Sequence, residues 1–347
     1  MKPCRIIDAH THIAASQAAV AVDIMDRAGI DACVVAEWHD GFGPALEEHL
    51  AAFGKFPGRF HVFGNIDFSA IDEPDFAARA VEHLRRGAVA GMRGLKVYKS
   101  LGLELRDKTG QLLRADDPRL DPIWAAAGEL HLPVLMHAAD PQAFWQPIDP
   151  HNAWSAVLRN EPGWSYYRAG LPSRDELLAE RARVIRRHPG TQFIGPHLGS
   201  WEDDFQTLAE MLEALPNFHV DIAARVYHMG STPRRRAAAR RLCLEFADRI
   251  LFGSDTIILD PHGPADIQPQ TFYTRDRLPA RLASGNVLRK TSEWFYRFHR
   301  QFLETGRRQS PIPFLTVDPA DGVEGLRLGQ SVLEKIYHAN IERLMGL

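Results

Sequence analysis

Ile6-Ile7-Asp8-Ala9-His10-Thr11-His12 opens the chain with a short apolar run that ends in an H-x-H pair. On an extended strand, side chains two apart point to the same side, so both imidazoles reach one ion. Three later apolar runs also end in a histidine or an aspartate. They are Leu132-Pro133-Val134-Leu135-Met136-His137, Phe193-Ile194-Gly195-Pro196-His197 and Ile250-Leu251-Phe252-Gly253-Ser254-Asp255. A lone strand-end histidine is more often structural than functional. Four strand ends carrying His, His, His and Asp in this order imply one constellation. In a parallel barrel all strands point the same way, so their C-terminal ends meet on one face, where barrel enzymes place their chemistry.

Eight strands are expected, over Arg5–Ala9, Ala32–Glu37, His61–Ile66, Gly91–Tyr98, Leu132–His137, Gln192–His197, His219–Ala223 and Ile250–Ser254. They are short and mostly rich in Val, Ile, Leu or Phe, as strands buried on both faces are. Helical patterns fill the intervals: Ala18–Arg27, Pro44–Phe56, Glu73–Arg86, Asp121–Leu130, Arg174–His188, Glu202–Leu215, Pro233–Ala247 and a closing Ser331–Met345. Ser173-x-x-Glu176 fits a capping box at the start of the fifth of these. Strand and helix alternating eight times is the pattern of an α/β (β/α)8 TIM barrel. A doubly wound open sheet is the runner-up, but no G-x-G-x-x-G follows strand one. Three connections on the active face are long, Lys99–Leu120 after strand four, Ala138–Pro172 after strand five and Asp260–Leu328 after strand eight. Loops of this length cover or shape a site. Residues 1–347 are therefore expected to form one barrel domain, with 260–328 inserted after strand eight and carrying a helix over Val287–Glu304.

Composition fits a globular enzyme: 347 residues, 45% hydrophobic, 24% charged, formal charge −3. The longest basic run, Arg234-Arg235-Arg236, reads as a solvated helix face, so nucleic acid is not an expected partner. No apolar run reaches membrane-spanning length, and strand one starts too early to leave room for a signal peptide. Cys4, Cys33 and Cys243 are odd in number and widely spaced, which suits reduced thiols and a cytoplasmic location. The expected partner is a small-molecule substrate. A homodimer is compatible with the fold, though no surface stripe specifies one.

A borderline cation such as zinc favours nitrogen ligands plus a carboxylate, with one position left open for water. His10 and His12 supply a pair, and His137 and Asp255 can complete the set. His197 then remains nearby to accept or donate a proton. Together these residues resemble the amidohydrolase superfamily, specifically its amidohydrolase 2 branch of metal-dependent barrels. The resemblance runs from Asp8-Ala9-His10-Thr11-His12 through Gly195-Pro196-His197-Leu198-Gly199 and Phe252-Gly253-Ser254-Asp255 to the closing Ile336-Tyr337-His338-Ala339-Asn340-Ile341-Glu342-Arg343-Leu344. It implies His10, His12, His137 and Asp255 as ligands of one divalent ion, Zn2+ before Mn2+ or Fe2+. It implies His197 as a catalytic acid/base or a hydrogen-bond donor to substrate. The branch contains hydrolases, lactonases, hydratases and non-oxidative decarboxylases.

Lys96, near the end of strand four, has two readings. Other amidohydrolases carry a carboxylated lysine at that strand end, bridging two metals; His137 and His197 would then serve the second ion. The favoured reading is a cation aimed at a substrate oxygen or carboxylate. Arg225, with Lys96, Tyr98 and Lys99, is expected to bind a substrate carboxylate, against a plain salt bridge or loop hydrogen bond. Trp201 reads as a pocket wall or as packing for the next helix. Asp8 and Asp140 read as carboxylates that orient their neighbours. His151, His228 and His262 lie on active-face loops.

The expected activity is metal-dependent hydrolysis of a C–N, ester or lactone bond in a small carboxylate-bearing substrate, with water activated at neutral pH. Asp255 takes the proton and His197 stabilises oxyanion charge. The alternatives are decarboxylation or lyase chemistry on an aromatic or unsaturated acid, and a barrel that has lost catalysis and serves as a binding protein.

Overall fold

The computed structural model describes residues 4–37, 41–259, 285–309 and 322–347. Nine parallel strands form one curled sheet, β1 Ile7–Ile13, β2 Ala32–Ala36, β3 Phe60–Gly64, β4 Gly94–Val97, β5 Val134–Met136, β6 Phe193–Gly195, β7 Phe218–Asp221, β8 Ile250–Leu251 and β9 Thr256–Ile258. Neighbours run in sequence order from β8 back to β1, and β1 also pairs with β9. β8 covers the start of the eighth strand expected over Ile250–Ser254, and β9 continues it beyond that range. Asp255 breaks it by adopting a left-handed backbone, φ 65°. Ahead of the break Ala9 N–H donates to Phe252 O (2.7 Å), and at it Asp255 N–H donates to His10 O (2.9 Å). The ring is thereby closed, and the fold is a (β/α)8 barrel.

The strands are shorter than the sequence implies at several ends. β1 is the exception: it runs on to Ile13, so His10 and His12 lie within it rather than at its tip. β5 stops just before His137 and β6 two residues before His197. Helices occupy the expected intervals: α1 Ala18–Ala28, α2 Gly43–Gly54, α3 Phe76–Ala90, α4 Asp121–Glu129, α5 Arg174–Arg187, α6 Phe205–Ala214 and α7 Pro233–Glu245. The capping box that starts α5 is present, with Ser173 and Glu176 exchanging hydrogen bonds. In the inserted segment, residues 260–284 and 310–321 lie outside the described residues, and with them His262. Its helix α8, Gly285–Glu304, packs against α1.

Two apolar cores result. The outer one lies between strands and helices and includes Trp124, Phe193, Phe218 and Phe252. The inner one fills the barrel with Ile7, Ala9, Val34, Phe63, Leu135, Ile194 and Leu251. Gly94 belongs to this filling: a Cβ there would stand 2.4 Å from the Phe63 ring, so only glycine lets that ring cross the interior. The last helix, α9 Asn340–Met345, closes the N-terminal mouth by adding Ile341, Leu344 and Met345 to the same core. The opposite mouth is left to polar groups. Among the described residues no helix is long and apolar enough to cross a membrane.

Candidate metal centre and active site

His10, His12, Lys96, His137, His197, Asp221 and Asp255 gather at the C-terminal mouth. The backbone there is unusual. Eight described non-glycine residues have positive φ, and His197, Leu198, Ser200, Ala224 and Asp255 sit at the ends of β6, β7 and β8. Each such residue costs about 1–2 kcal/mol in a left-handed conformation, and strain of this kind persists where the surroundings over-determine it. Here it turns the strand-end side chains inward.

Three imidazoles are pinned through the same ring nitrogen. His10 Nδ1 lies 2.9 Å from Asp221 Oδ2, His12 Nδ1 2.5 Å from Ala36 O, and His197 Nδ1 2.9 Å from Ala223 O. An acceptor at Nδ1 fixes the proton there and leaves the Nε2 lone pair facing inward. Asp255 Oδ1 stands 3.4 Å from His12 Nε2 and 3.8 Å from His10 Nε2. One ligand atom each from His10, His197 and Asp255 fall within 4.8 Å of one another, the span one ion would bridge. The His137 ring is 4.9 Å from that of His197, with its Nε2 3.4 Å from Asp140 Oδ1. The tight group of three thus takes in His197, which the sequence sets apart as an acid/base. It leaves out two expected ligands, His12, whose Nε2 is 3.4 Å from Asp255 Oδ1, and His137, whose Nε2 is 3.4 Å from Asp140 Oδ1.

The electrostatics match this donor set. Burial holds His10 and His197 well below the ordinary imidazole range, with Lys96 adding to the effect on the first and Arg225 on the second. Burial lowers His12 against the pull of Asp255, and lowers His137 to about 4 against the pull of Asp140. All four rings are neutral at pH 7, the form that binds metal. Burial opposes ionisation of Asp255, yet the imidazoles around it, His12 first and then His10 and His197, hold the carboxyl below the usual range. Neutral convergent imidazoles beside an ionised carboxylate fit a divalent cation.

The Amidohydro_2 family, described as amidohydrolase, matches residues 7–347. The chain belongs to the amidohydrolase family. No curated protein matches it by sequence. Among solved structures, an uncharacterized TIM-barrel protein from Bordetella bronchiseptica is 18% identical, with 99% of this chain and 98% of that chain covered and a TM-score of 0.54. A 2,6-dihydroxybenzoate decarboxylase from Rhizobium is 16% identical over 99% of both chains, TM-score 0.54. A 4-oxalomesaconate hydratase from Rhodopseudomonas palustris is 14% identical, with 98% and 95% covered and a TM-score of 0.53. At these identities the likeness establishes the barrel.

Around the amidohydrolase centre, the orienting carboxylates are distributed as follows. Asp8 accepts from the backbone of His10 (3.1 Å) and Ser254 (2.9 Å) and from the Ser254 hydroxyl (2.5 Å), which ties β1 to the segment between β8 and β9. Asp221 reads in the sequence only as a strand-seven carboxylate. It receives His10 Nδ1 together with the backbone N–H groups of His197 (2.7 Å) and Ala223 (3.0 Å). Its position at a strand end is the one signal that could have found it.

The expected substrate contacts divide. Lys96 Nζ is 3.3 Å from His10 Nε2, and burial lowers its pKa to about 8 against the pull of Asp255 and Asp221. Arg225 is buried beside Trp154, 5.7 Å from that ring, with Glu202 3.7 Å away. The Tyr98 ring stands 5.9 Å from that of His137. Lys99 is taken instead by Asp140, which also accepts from Tyr166 Oη at 2.7 Å. Trp201 packs against Phe218 of β7 and Arg181 of α5, neither of them in the helix that follows it. His228 is buried against Trp154, while His151 is exposed.

Proposed function

We propose that this amidohydrolase is a metal-dependent enzyme that cleaves a C–N, ester or lactone bond in a small substrate bearing a carboxylate. The observation that carries the reading is the convergence of three Nδ1-pinned imidazoles on Asp255. His10, His12 and Asp255 hold one divalent ion, and the fourth donor is His137 or His197. The bound ion supplies Lewis acidity and makes water available for attack at neutral pH. Asp255 Oδ accepts a proton from the attacking water and passes it to the leaving group. His197, whose Nε2 lone pair faces inward, accepts a proton at that atom when His137 is the fourth donor. Lys96 and Arg225 flank the centre and orient the substrate carboxylate, with Tyr98 at the side of His137.

One feature favours a second reading. Tyr98, Trp154, Trp164 and Tyr166 surround the cations of this mouth, with Lys99 Nζ 5.8–5.9 Å from the Tyr98, Trp164 and Tyr166 rings. A planar unsaturated or aromatic acid suits such walls, and the same centre would then deliver a proton to carbon in a non-oxidative decarboxylation. The Rhizobium neighbour acts on a substrate of that class. A panel of esters, lactones, amides and hydroxybenzoates, assayed for acid release and for CO2, separates the two. Turnover of the hydrolytic substrates without CO2 supports the first reading; CO2 release from an aromatic acid overturns it in favour of the second. A Zn2+- or Mn2+-loaded protein inert towards the whole panel favours the non-catalytic barrel.

A further inference from the structure

The four residues that follow β6 and Pro196 share one rare conformation. His197 (φ 59°), Leu198 (φ 59°), Gly199 (φ 61°) and Ser200 (φ 65°) make a left-handed turn. Only one of the four is glycine, and at that position a Cβ would press on Trp201 (3.1 Å) and Phe218 (3.2 Å). Ser200 N–H donates to His197 O and Trp201 N–H to Leu198 O, both at 3.1 Å. Something outside the turn must hold it.

At its start Asp221 Oδ1 and Ala223 O hold His197 from the end of β7, and further along the holding groups come from α5. Arg174 and Arg181 are seven residues apart, on one face of that helix. Arg181 Nη2 donates to Gly199 O at 2.5 Å, and Arg174 Nη2 donates to Ser200 O. Ser200 Oγ in turn donates to Ala139 O at the end of the neighbouring strand. Arg181 is 0% exposed, with its guanidinium 5.0 Å from the Trp201 ring and 5.1 Å from the Phe218 ring. Its Nε and Nη1 find no hydrogen-bond partner among the described residues. A buried cation with two unused donors is a poor device for stability, since an apolar side chain of similar volume would fill the slot at least as well. A left-handed turn directs the Gly199 and Ser200 carbonyls to α5, and a guanidinium is the group that receives a buried carbonyl there.

We propose that Arg181 is a positioning residue, clamping the left-handed turn so that His197 stays aimed into the metal centre. The inference rests on the role given to His197 above. Arg181 touches no reacting group and acts through Gly199 O, two residues from the imidazole.

The test uses Arg181→Met, which keeps an apolar stem between Trp201 and Phe218, and Arg181→Lys, which keeps a cation without the planar fork. Amide hydrogen exchange by mass spectrometry reads the turn whether or not a substrate is known. Exchange across residues 197–201 is expected to rise in Arg181→Met and less in Arg181→Lys, with the barrel strands unchanged. With the substrate that the panel identifies, kcat is expected to fall about tenfold in Arg181→Met with KM within about twofold, and to recover in part in Arg181→Lys. Unchanged exchange at 197–201 overturns the clamp. Raised exchange with kcat intact overturns its catalytic role. A wild type that turns over nothing defeats the functional reading alone, because the exchange result still decides the clamp. Should Arg181→Met fail to fold, Arg181→Lys carries the same readouts.

Discussion

At the C-terminal mouth of the barrel His10, His12 and His197 are 0%, 5% and 5% exposed; at the N-terminal mouth His61 and His219 are 7% and 3% exposed. Both environments depress imidazole protonation through burial, taking His61 to about 4 and His219 to about 3. What differs is the company. His61 and His219 project inward, in register with Val34 and Ile194 of the inner core. Arg93 and Arg5 face the first of them, Arg249 and Arg343 the second. His61 Nε2 and His219 Nδ1 make no hydrogen bond among the described residues. The upper rings are each pinned by an acceptor and turned towards one carboxylate. Burial and a low pKa therefore do not identify a site in this fold. Convergence, pinned tautomers and strained strand ends do.

The comparison can be broken at either mouth. Asp255→Asn removes the ionised carboxylate at the top, and turnover should fall by on the order of 10²–10⁴-fold while thermal unfolding stays cooperative; biological activity that survives in this variant would point to the non-catalytic barrel. Ile341→Ala empties a fully buried position at the floor. It should lower unfolding stability by about 2–5 kcal/mol in a denaturant titration and leave ion stoichiometry untouched. Asp221→Asn exchanges the acceptor behind His10 for an amide, and isothermal titration with Zn2+ or Mn2+ should show about 10–100-fold weaker binding.

The smallest effect concerns pH. His61 and His219 are neutral in the folded protein down to about 4 and about 3, but protonate near 6.5 when unfolded. The unfolded chain binds more protons between those values, so the stability these residues allow above pH 6.5 is lost as pH falls from there towards 4 and 3. His61→Phe should flatten that fall by up to about 1.4 kcal/mol per pH unit, seen as a shallower dependence of the unfolding midpoint on pH between 6.5 and 4. An unaltered slope would place the acid sensitivity in other groups.

Much of the upper mouth is legible in the sequence because the barrel imposes a one-dimensional rule: chemistry follows the C-terminal ends of strands. His137, His197 and Asp255 follow it, as does Lys96, while His10 and His12 lie inside β1. The parts that are not legible depend on contacts between distant residues. Asp221 and His10 are 211 positions apart, and only barrel closure makes the carboxylate the partner of that ring. Arg181 sits in a helix that also carries the exposed Arg183, Arg186 and Arg187, and nothing in its neighbourhood in sequence marks it, with Arg174, as buried. Trp201 follows a site histidine closely enough to suggest a pocket wall, but the left-handed turn swings it onto Arg181. The split of the eighth strand also escapes a sequence reading, because it follows from the backbone of Asp255 alone. Lys99 and Asp140 are each legible as active-face residues, but their ion pair joins two loops whose approach no local pattern reveals.

Elemental analysis of protein purified without chelators, beside a His12→Ala variant, tests the central claim most directly. The account predicts about one divalent ion per chain, reduced or absent in the variant. About two ions per chain would promote Lys96 to a carboxylated bridge and give both His137 and His197 to the second ion. No ion in the wild type, and none taken up on reconstitution with Zn2+ or Mn2+, would contradict the account.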